Sequence, residues 1–209
     1  MLRVCLDFIT FPIRALTLFV DDVMGLTSLP SERMYYVAEQ VRGYCLDVGC
    51  GRGNRFITQF LAGNGAGIDV YQFEGLTPDN VVRNISRFPF ESARFDTVTF
   101  IASINHVPHN LRETELAEAY RCLKDGGNIV VTMWMPAVEI TVHMLARIYS
   151  RLFGAMIDED NTRGMTEGEE YFLRIPDIVN LLKNAGFRKM RVQRFSTQWG
   201  LNSMVIGWK

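Results

Sequence analysis

Nothing restricts the fold of this chain as sharply as the stretch Tyr44-Cys45-Leu46-Asp47-Val48-Gly49-Cys50-Gly51-Arg52-Gly53-Asn54. Cys45 to Val48 read as a short buried strand with Asp47 set among apolar neighbours. Gly49, Gly51 and Gly53 remove side chains where the chain must turn sharply, and Phe56, Ile57, Phe60 and Leu61 follow at helical spacing. Strand, glycine turn and helix in that order open a nucleotide pocket in α/β domains, because backbone approaches a ligand closely only where Cβ is absent. The spacing is G-x-G-x-G, and Asn54 stands where a pyrophosphate binder's G-x-G-x-x-G would place its last glycine. A carboxylate two residues before the first glycine would repel phosphate and suits an ammonium group, held directly or through water.

The next acid in register is Asp69. It closes a second expected strand, Ala66 to Val70, and lies 20 residues after Gly49. In nucleotide-binding α/β folds an acid there accepts hydrogen bonds from ribose hydroxyls. Between them, the helix at 55–62 ends in an Asn64-Gly65 turn. Residues 71–81 contain Gly75 and Pro78, so they have room for at most a turn of helix. Val81 to Ile85 read as a short third strand and Asp96 to Ser103 as a buried fourth, with Val98, Phe100 and Ile101 apolar and Thr97 and Thr99 favouring strand. Ligands of open α/β sheets bind outside the carboxyl ends of strands, which directs Asn105 and His106 toward the reacting region. His106 is the general-base candidate by position; the alternative is a hydrogen-bonded packing residue.

At Leu46-Asp47-Val48-Gly49-Cys50-Gly51-Arg52-Gly53-Asn54 the sequence resembles class I S-adenosylmethionine-dependent methyltransferases of the small-molecule, "type 11" kind. Phe88-Pro89-Phe90 with Arg94-Phe95-Asp96 resembles a second element of that family. Leu123-Lys124-Asp125-Gly126-Gly127-Asn128-Ile129-Val130-Val131 resembles its helix-turn-strand signature, with Asp125 in place of the usual Pro. The resemblance implies that Asp47, Gly49, Cys50 and Gly51 hold the methionine part of the cofactor. It implies further that Asp69 and Val70 hold the ribose, that Asn84 and Ile85 meet the adenine, and that Ala102 completes the site. Cys50 also reads simply as a small residue that fills space in the loop. The implied cofactor is S-adenosyl-L-methionine, and the implied reaction is displacement at the sulfonium methyl by a small organic acceptor.

The expected fold is α/β: a Rossmann-like, seven-stranded, mostly parallel sheet with helices on both faces and a C-terminal antiparallel hairpin. One domain covers 1–209: an N-terminal helical cover over 1–43, the cofactor-binding core over 44–134, a cap insertion over 135–175, and the last helix with closing strands over 176–209. Pro30-Ser31 starts a helix with Ser31 as N-cap, closed by Gly43. Leu116, Ala119, Tyr120 and Leu123 give the helix before the fifth strand, Asn128 to Trp134, its apolar face. In the cap, Val138, Thr141, Met144, Leu145, Ile148 and Leu152 suggest a long helix, and 154–170 an acidic loop. His143, Tyr149, Tyr171 and Phe172 are substrate-side candidates, although core packing is the better explanation for the aromatics. Pro176 to Ala185 read as the last helix, with Gly186 after it. Phe187 to Phe195 and Met204 to Trp208 read as the closing strands.

Charge excludes a nucleic-acid partner. Lys and Arg number 22 against 23 Asp and Glu, a net −1, whereas such binders carry a basic excess. The four cysteines form no C-x-x-C pair and the three histidines complete no zinc pattern with them, so no metal is expected and a reducing cytoplasm is the default. Residues 2–20 are mostly apolar but interrupted by Asp7, Pro12 and Arg14, with no small-x-small cleavage site, which argues against a signal peptide. Phe8, Phe11, Ala15, Leu18 and Phe19 make one side of an amphipathic segment, ended by Asp21 and Asp22. It could cover the site, pack on the core, or make weak membrane-surface contact through 1–20. Two other functions compete. An NAD-dependent oxidoreductase is opposed by Asp47 and the missing third glycine. A catalytically silent cofactor-binding sensor or partner subunit is kept open by the short 71–81 link.

Overall fold

The computed structural model describes residues 2–16, 25–84, 86–138, 141 and 173–209. The helix expected over 138–152 and the acidic loop after it fall outside the described residues, as do His143, Tyr149, Tyr171, Phe172 and the segment containing Leu18, Phe19, Asp21 and Asp22.

The chain begins with α1 (Leu2–Ile9), α2 (Phe11–Leu16) and α3 (Leu29–Ala38). The N-cap of α3 is Ser28, whose Oγ accepts from the Ser31 amide at 3.3 Å, with Pro30 in the first turn where it displaces no helical bond. The expectation of Ser31 as cap and Gly43 as terminator is thus corrected. Gly43 serves the entry to β1 instead: its φ is +57°, and an added Cβ would lie 2.5 Å from the Asp96 carboxylate that accepts from the Tyr44 amide.

β1 (Cys45–Val48), β2 (Gly65–Ile68), β3 (Phe95–Ile101) and β4 (Leu123–Trp134) are parallel. β5 (Lys189–Arg194) and β6 (Asn202–Trp208) close the sheet as an antiparallel hairpin, in the order β2-β1-β3-β4-β6-β5. The sheet has six strands, not the seven expected. The missing one is Val81 to Ile85, where Val81 makes a single parallel bridge with Asp69. The reason lies in the link before it. Gly75 and Pro78 allow only a tight turn, Pro78–Asn80, and the chain is captured locally as the Val82 amide donates to the Asp69 carbonyl at 2.8 Å. The helix expected at 55–62 shrinks to a turn of wide π winding, Phe56–Phe60, in which the Leu61 amide donates to the Phe56 carbonyl.

Alternation along the strands feeds two apolar layers. On one face Leu46, Val48, Val98 and Phe100 pack under α4 (His109–Cys122) and α5 (Ile175–Asn184), through Leu116, Ala119, Ile178 and Leu182. On the other, Cys45, Val130, Met204 and Ile206 pack with Val37, Phe56, Ile57 and Phe195.

The N-terminal helices dock on the C-terminal hairpin through a buried ion pair. Arg14, 2% exposed, bonds Glu32 Oε2 at 2.8 Å and donates to the carbonyls of Asp7, Thr27 and Thr197, while Gln198 Nε2 donates to the same Glu32 oxygen. Phe8 and Phe11 meet the Trp199 ring, and Trp199 Nε1 donates to the Phe8 carbonyl at 3.0 Å. Of the roles expected for this segment, α1 and α2 pack on the core. No helix among the described residues is long and apolar enough to cross a membrane.

Candidate functional site

The carboxyl ends of β1, β2 and β3 open into a cavity of about 1070 Å³ whose floor is the glycine turn. Gly49 has φ +77°, and a Cβ there would stand 2.4 Å from Ser103 Cβ, so the turn can press against the end of β3 only as glycine. Gly51, at φ +62° and ψ −164°, occupies a region closed to side-chain-bearing residues. Ser103 Oγ donates to the Val48 carbonyl at 2.7 Å and ties the two strand ends together. Ala102 carries a strained φ of +53° at the cavity wall, with its amide donating to Thr132 Oγ1 at 3.0 Å.

Four carboxyl groups line this space; Glu74 is exposed at it, and the other three are buried. Asp47 is 2% exposed and accepts from Thr99 Oγ1 at 2.7 Å, a bond that strand register provides because Asp47 and Thr99 are paired across β1 and β3. Burial pushes its pKa up to about 7; the Thr99 bond opposes the shift and the nearby Asp69 adds to it. Asp69 is held by two backbone donors, Gly51 N on Oδ2 at 2.9 Å and Tyr71 N on Oδ1 at 3.1 Å. Each oxygen keeps a further lone pair for a ligand. The third is Glu115, on α4, to which the sequence reading assigned no role. It is 4% exposed, and burial with the Asp69 charge pushes its pKa up to about 8. A sequence signal for it existed: Glu115 stands four residues before Ala119 and seven before Cys122, so an acid interrupts the apolar stripe of the helix.

The other expected site residues divide clearly. Asp47, Gly49, Cys50, Gly51, Asp69, Val70, Ala102 and His106 all line the one cavity. Asn84 does not: it is exposed, its Oδ1 accepts from the Ser86 amide at 3.0 Å, and Val82 and Arg83 line the cavity nearby. Ile85 lies outside the described residues. The Cys50 thiol, 7% exposed, packs with Phe73 and Leu76, and burial beside Asp47 raises its pKa further above the ordinary thiol value, so it is a neutral space-filling group. His106 is half-buried at the cavity wall, its amide donating to the carbonyl of Ser103, the residue Gly49 packs against, at 3.0 Å. Among the described residues no three His, Cys, Asp or Glu side chains stand close enough to hold a metal ion.

The donor set decides which cofactor fits. Among the described residues no lysine lines the cavity; its arginines are Arg33, Arg52, Arg55 and Arg83, of which only Arg33 is buried, beside the three buried carboxyls. Such a lining disfavours a pyrophosphate and matches a ligand bearing an ammonium, a sulfonium and ribose hydroxyls.

Comparison with known proteins agrees. A family model described as a methyltransferase domain matches residues 27–192. A ubiquinone/menaquinone biosynthesis C-methyltransferase of Allorhizobium ampelinum is 30% identical over 157 residues, which are 69% of this chain and 58% of that protein. The same-named protein of Agrobacterium fabrum is 29% identical over 138 residues, 62% of this chain and 51% of that one. The chain thus spans little more than half the length of these relatives. Among solved structures, the 1,6-didemethyltoxoflavin-N1-methyltransferase of Burkholderia thailandensis, with S-adenosylhomocysteine bound, superposes with a TM-score of 0.58 at 18% identity, covering 100% of this chain and 87% of that one. An S-adenosylmethionine-dependent methyltransferase of Archaeoglobus fulgidus gives 0.58 at 16% identity, over 85% of this chain and 90% of that one.

Proposed function

The chain belongs to the methyltransferase-domain family, and from that premise we propose that it catalyses S-adenosylmethionine-dependent methyl transfer to a small organic acceptor by direct displacement. The observation that carries this reading is the pairing of two fixed acids, Asp47 and Asp69, with a glycine turn too tight for side chains and, among the described residues, no lysine at the wall.

When bound, the cofactor supplies an electrophilic methyl group on a sulfonium centre. The residues of the chain hold and orient. Asp47, ionised by a neighbouring ammonium, anchors the methionine end, and the Thr99 hydroxyl fixes the direction of its carboxylate. Asp69 accepts from ribose hydroxyls with the lone pairs that Gly51 and Tyr71 leave to it. Phe88, Phe100 and Val107 exclude water from the wall, so that alignment of nucleophile and methyl carbon accounts for most of the rate. His106 stands at the same wall to accept a proton from an acceptor whose nucleophile must lose one. The relatives named as C-methyltransferases make carbon acceptors the first to try. The second reading, a cofactor binder without catalysis, is favoured by the single short turn that replaces a helix between β2 and Val81.

Calorimetry with S-adenosylmethionine and with NAD, followed by mass spectrometry of an acceptor panel bearing aromatic carbon, amine and hydroxyl nucleophiles, tests both. We expect heat with the first cofactor only, and a mass gain of one methyl group on an acceptor. No heat with S-adenosylmethionine sinks the cofactor assignment; binding without transfer to any acceptor leaves the second reading. Asp69→Ala should weaken binding by about 1–3 kcal/mol, the scale of a lost hydrogen-bond partner in a buried site.

A further inference from the structure

One polar group in the cavity is left without an internal purpose. Glu115 Oε2 is buried and has no hydrogen-bond partner among the described residues, and the residue is 4% exposed. A buried polar atom that finds no partner costs about 1–3 kcal/mol, so a group of this kind at a cavity wall is a place where a ligand restores what folding removed.

Its position says which part of the ligand. Glu115 lies on the stripe of α4 that begins with Leu111 and continues to Glu118, and Leu111 lines the same cavity. Glu118 accepts from the Phe88 amide at 2.8 Å, so this face of α4 looks onto the segment containing Val82 and Phe88. That segment begins where Val82 bonds the carbonyl of Asp69. Glu115 is thus in the same cavity as Asp47 and Asp69, near enough to Asp69 to feel its charge, and shares that end of it with Val82, Phe88 and Leu111. Asn84, the residue in sequence best placed to meet a nucleobase, is turned outward and bonded to Ser86.

We propose that Glu115 is the nucleobase-recognition residue of this pocket, its carboxyl group, in the protonated form, pairing with the amino edge of the cofactor's adenine between the apolar walls of Val82 and Phe88. A neutral carboxyl presents one O–H donor and one carbonyl acceptor side by side. The adenine edge presents an exocyclic N–H donor beside a ring-nitrogen acceptor, so two hydrogen bonds form and neither group is left charged or unpaired. An ionised carboxylate could satisfy only the first. The charged groups around Glu115 favour the neutral form. Asp69, from the end of β2, repels a second negative charge. The other charged or titratable side chains lining the cavity are Asp47, Glu74, His106 and the arginines Arg33, Arg52, Arg55 and Arg83, the last of them exposed. On α4 itself, Glu118 is engaged by Arg121 and the Phe88 amide, and the Arg112 guanidinium donates to the Val107 and Asn105 carbonyls.

The proposal rests on the reading of the cavity as an S-adenosylmethionine site, and the test separates the two. Calorimetry is run with S-adenosylhomocysteine and with its analogue carrying hydrogen in place of the 6-amino group, on the unmodified protein, Glu115→Gln and Glu115→Leu, from pH 6 to 9.5. The unmodified protein should bind S-adenosylhomocysteine more tightly as pH rises from 6 to about 7.5, because Asp47 loses its proton there, and should then lose about tenfold by pH 9.5. It should bind the analogue about tenfold more weakly at pH 7. Glu115→Gln keeps one donor and one acceptor; it should bind within about threefold of the original at pH 7 and lose the alkaline fall. Glu115→Leu should bind at least tenfold more weakly and no longer distinguish the two ligands. Thermal unfolding of the free variants guards against misfolding, and if the leucine variant fails to fold, the pH profile of Glu115→Gln decides. Tight binding that shows no alkaline fall and is unchanged in Glu115→Leu overturns the nucleobase assignment alone. Absence of S-adenosylhomocysteine binding by the unmodified protein overturns the reading of the site and the proposal with it.

Discussion

A carboxyl group with a pKa near 7 beside a cation-binding site couples proton and ligand. Asp47 is in that state because it is buried and, among the described residues, its hydrogen-bond partner is the uncharged Thr99 hydroxyl. A ligand ammonium supplies the missing charge, so binding should expel the proton that Asp47 carries at mildly acidic pH. Calorimetry in buffers of different ionisation enthalpy should register release of most of a proton per S-adenosylmethionine at pH 6, declining as pH rises and giving way to uptake at pH 8.5, where Glu115 must regain its proton. Asp47→Asn should abolish the release and weaken binding at least tenfold; equal proton release in the variant removes Asp47 from the site. At this scale the sequence was readable where backbone geometry forces residue type. Gly49 and Gly51 admit no side chain, and an acid within a strand that is otherwise apolar announces a ligand. Glu115 was less legible, since the helix pattern around Leu116 and Ala119 is satisfied with or without it, and only the fold reveals that its neighbour across the cavity is Asp69.

Elements were legible in proportion to the strength of their local signals. Asp47 and Thr99 lie on strands that periodicity identifies, and the last helix starts within one residue of Pro176. The third strand failed because a run such as Val81 to Ile85 specifies strand propensity but not the length of link needed to reach a neighbour. The Pro78–Asn80 turn is too short to carry the chain over the sheet, so pairing stops at one bridge. The docking of α1 and α2 was not readable at all. Asp7, Pro12 and Arg14 look in sequence like interruptions of an apolar run, yet Arg14 is the centre of the contact, with Glu32 from α3 and the carbonyl of Thr197 from the distant hairpin as partners. Removing one side of a buried pair leaves the other charge without compensation, at a cost of about 3–5 kcal/mol. We therefore expect Arg14→Ala to release the N-terminal helices. Hydrogen exchange should quicken across residues 2–16 and the 196–199 turn, while β3 and β4 keep their protection. Unchanged exchange in residues 2–16 would contradict this account of how they are held.

For the molecule as a whole, Asp47 and Glu115, with Asp7 raised in the same sense by burial, set the pH response between acid and neutrality. Asp47 and Glu115 titrate near 4 when unfolded and at about 7 and about 8 when folded, so over that interval the folded state holds more protons than the unfolded. Their contribution is complete below pH 4 and is lost as pH rises through 7 to 8. Asp96, Glu118 and Asp177 act in the opposite sense. Lys124, Arg121 and the Arg174 amide and side chain hold their pKa values below the ordinary range, so they contribute above pH 4 and lose that contribution in acid. The ligand-free protein should accordingly have its highest melting temperature near pH 5, lower at pH 8, and Glu115→Gln should flatten the fall between them. A melting temperature that rises from pH 5 to pH 8 would refute the assignment of these protonation states. Saturation with S-adenosylhomocysteine at 100 times its Kd should add about 2.7 kcal/mol of apparent stability.

The bond between the Arg14 guanidinium and the Thr197 carbonyl spans 183 positions of sequence. During synthesis at about 5–20 residues per second, the hairpin that receives α1 and α2 therefore emerges about 10–40 s after they do. Through that interval the N-terminal segment, with Phe8, Phe11 and Ile13 on its surface, waits without its docking site. The nascent chain is thus a different object from the finished one: α1 and α2 are made well before the turn that holds them. Any factor that shields apolar helices on the ribosome has its target here.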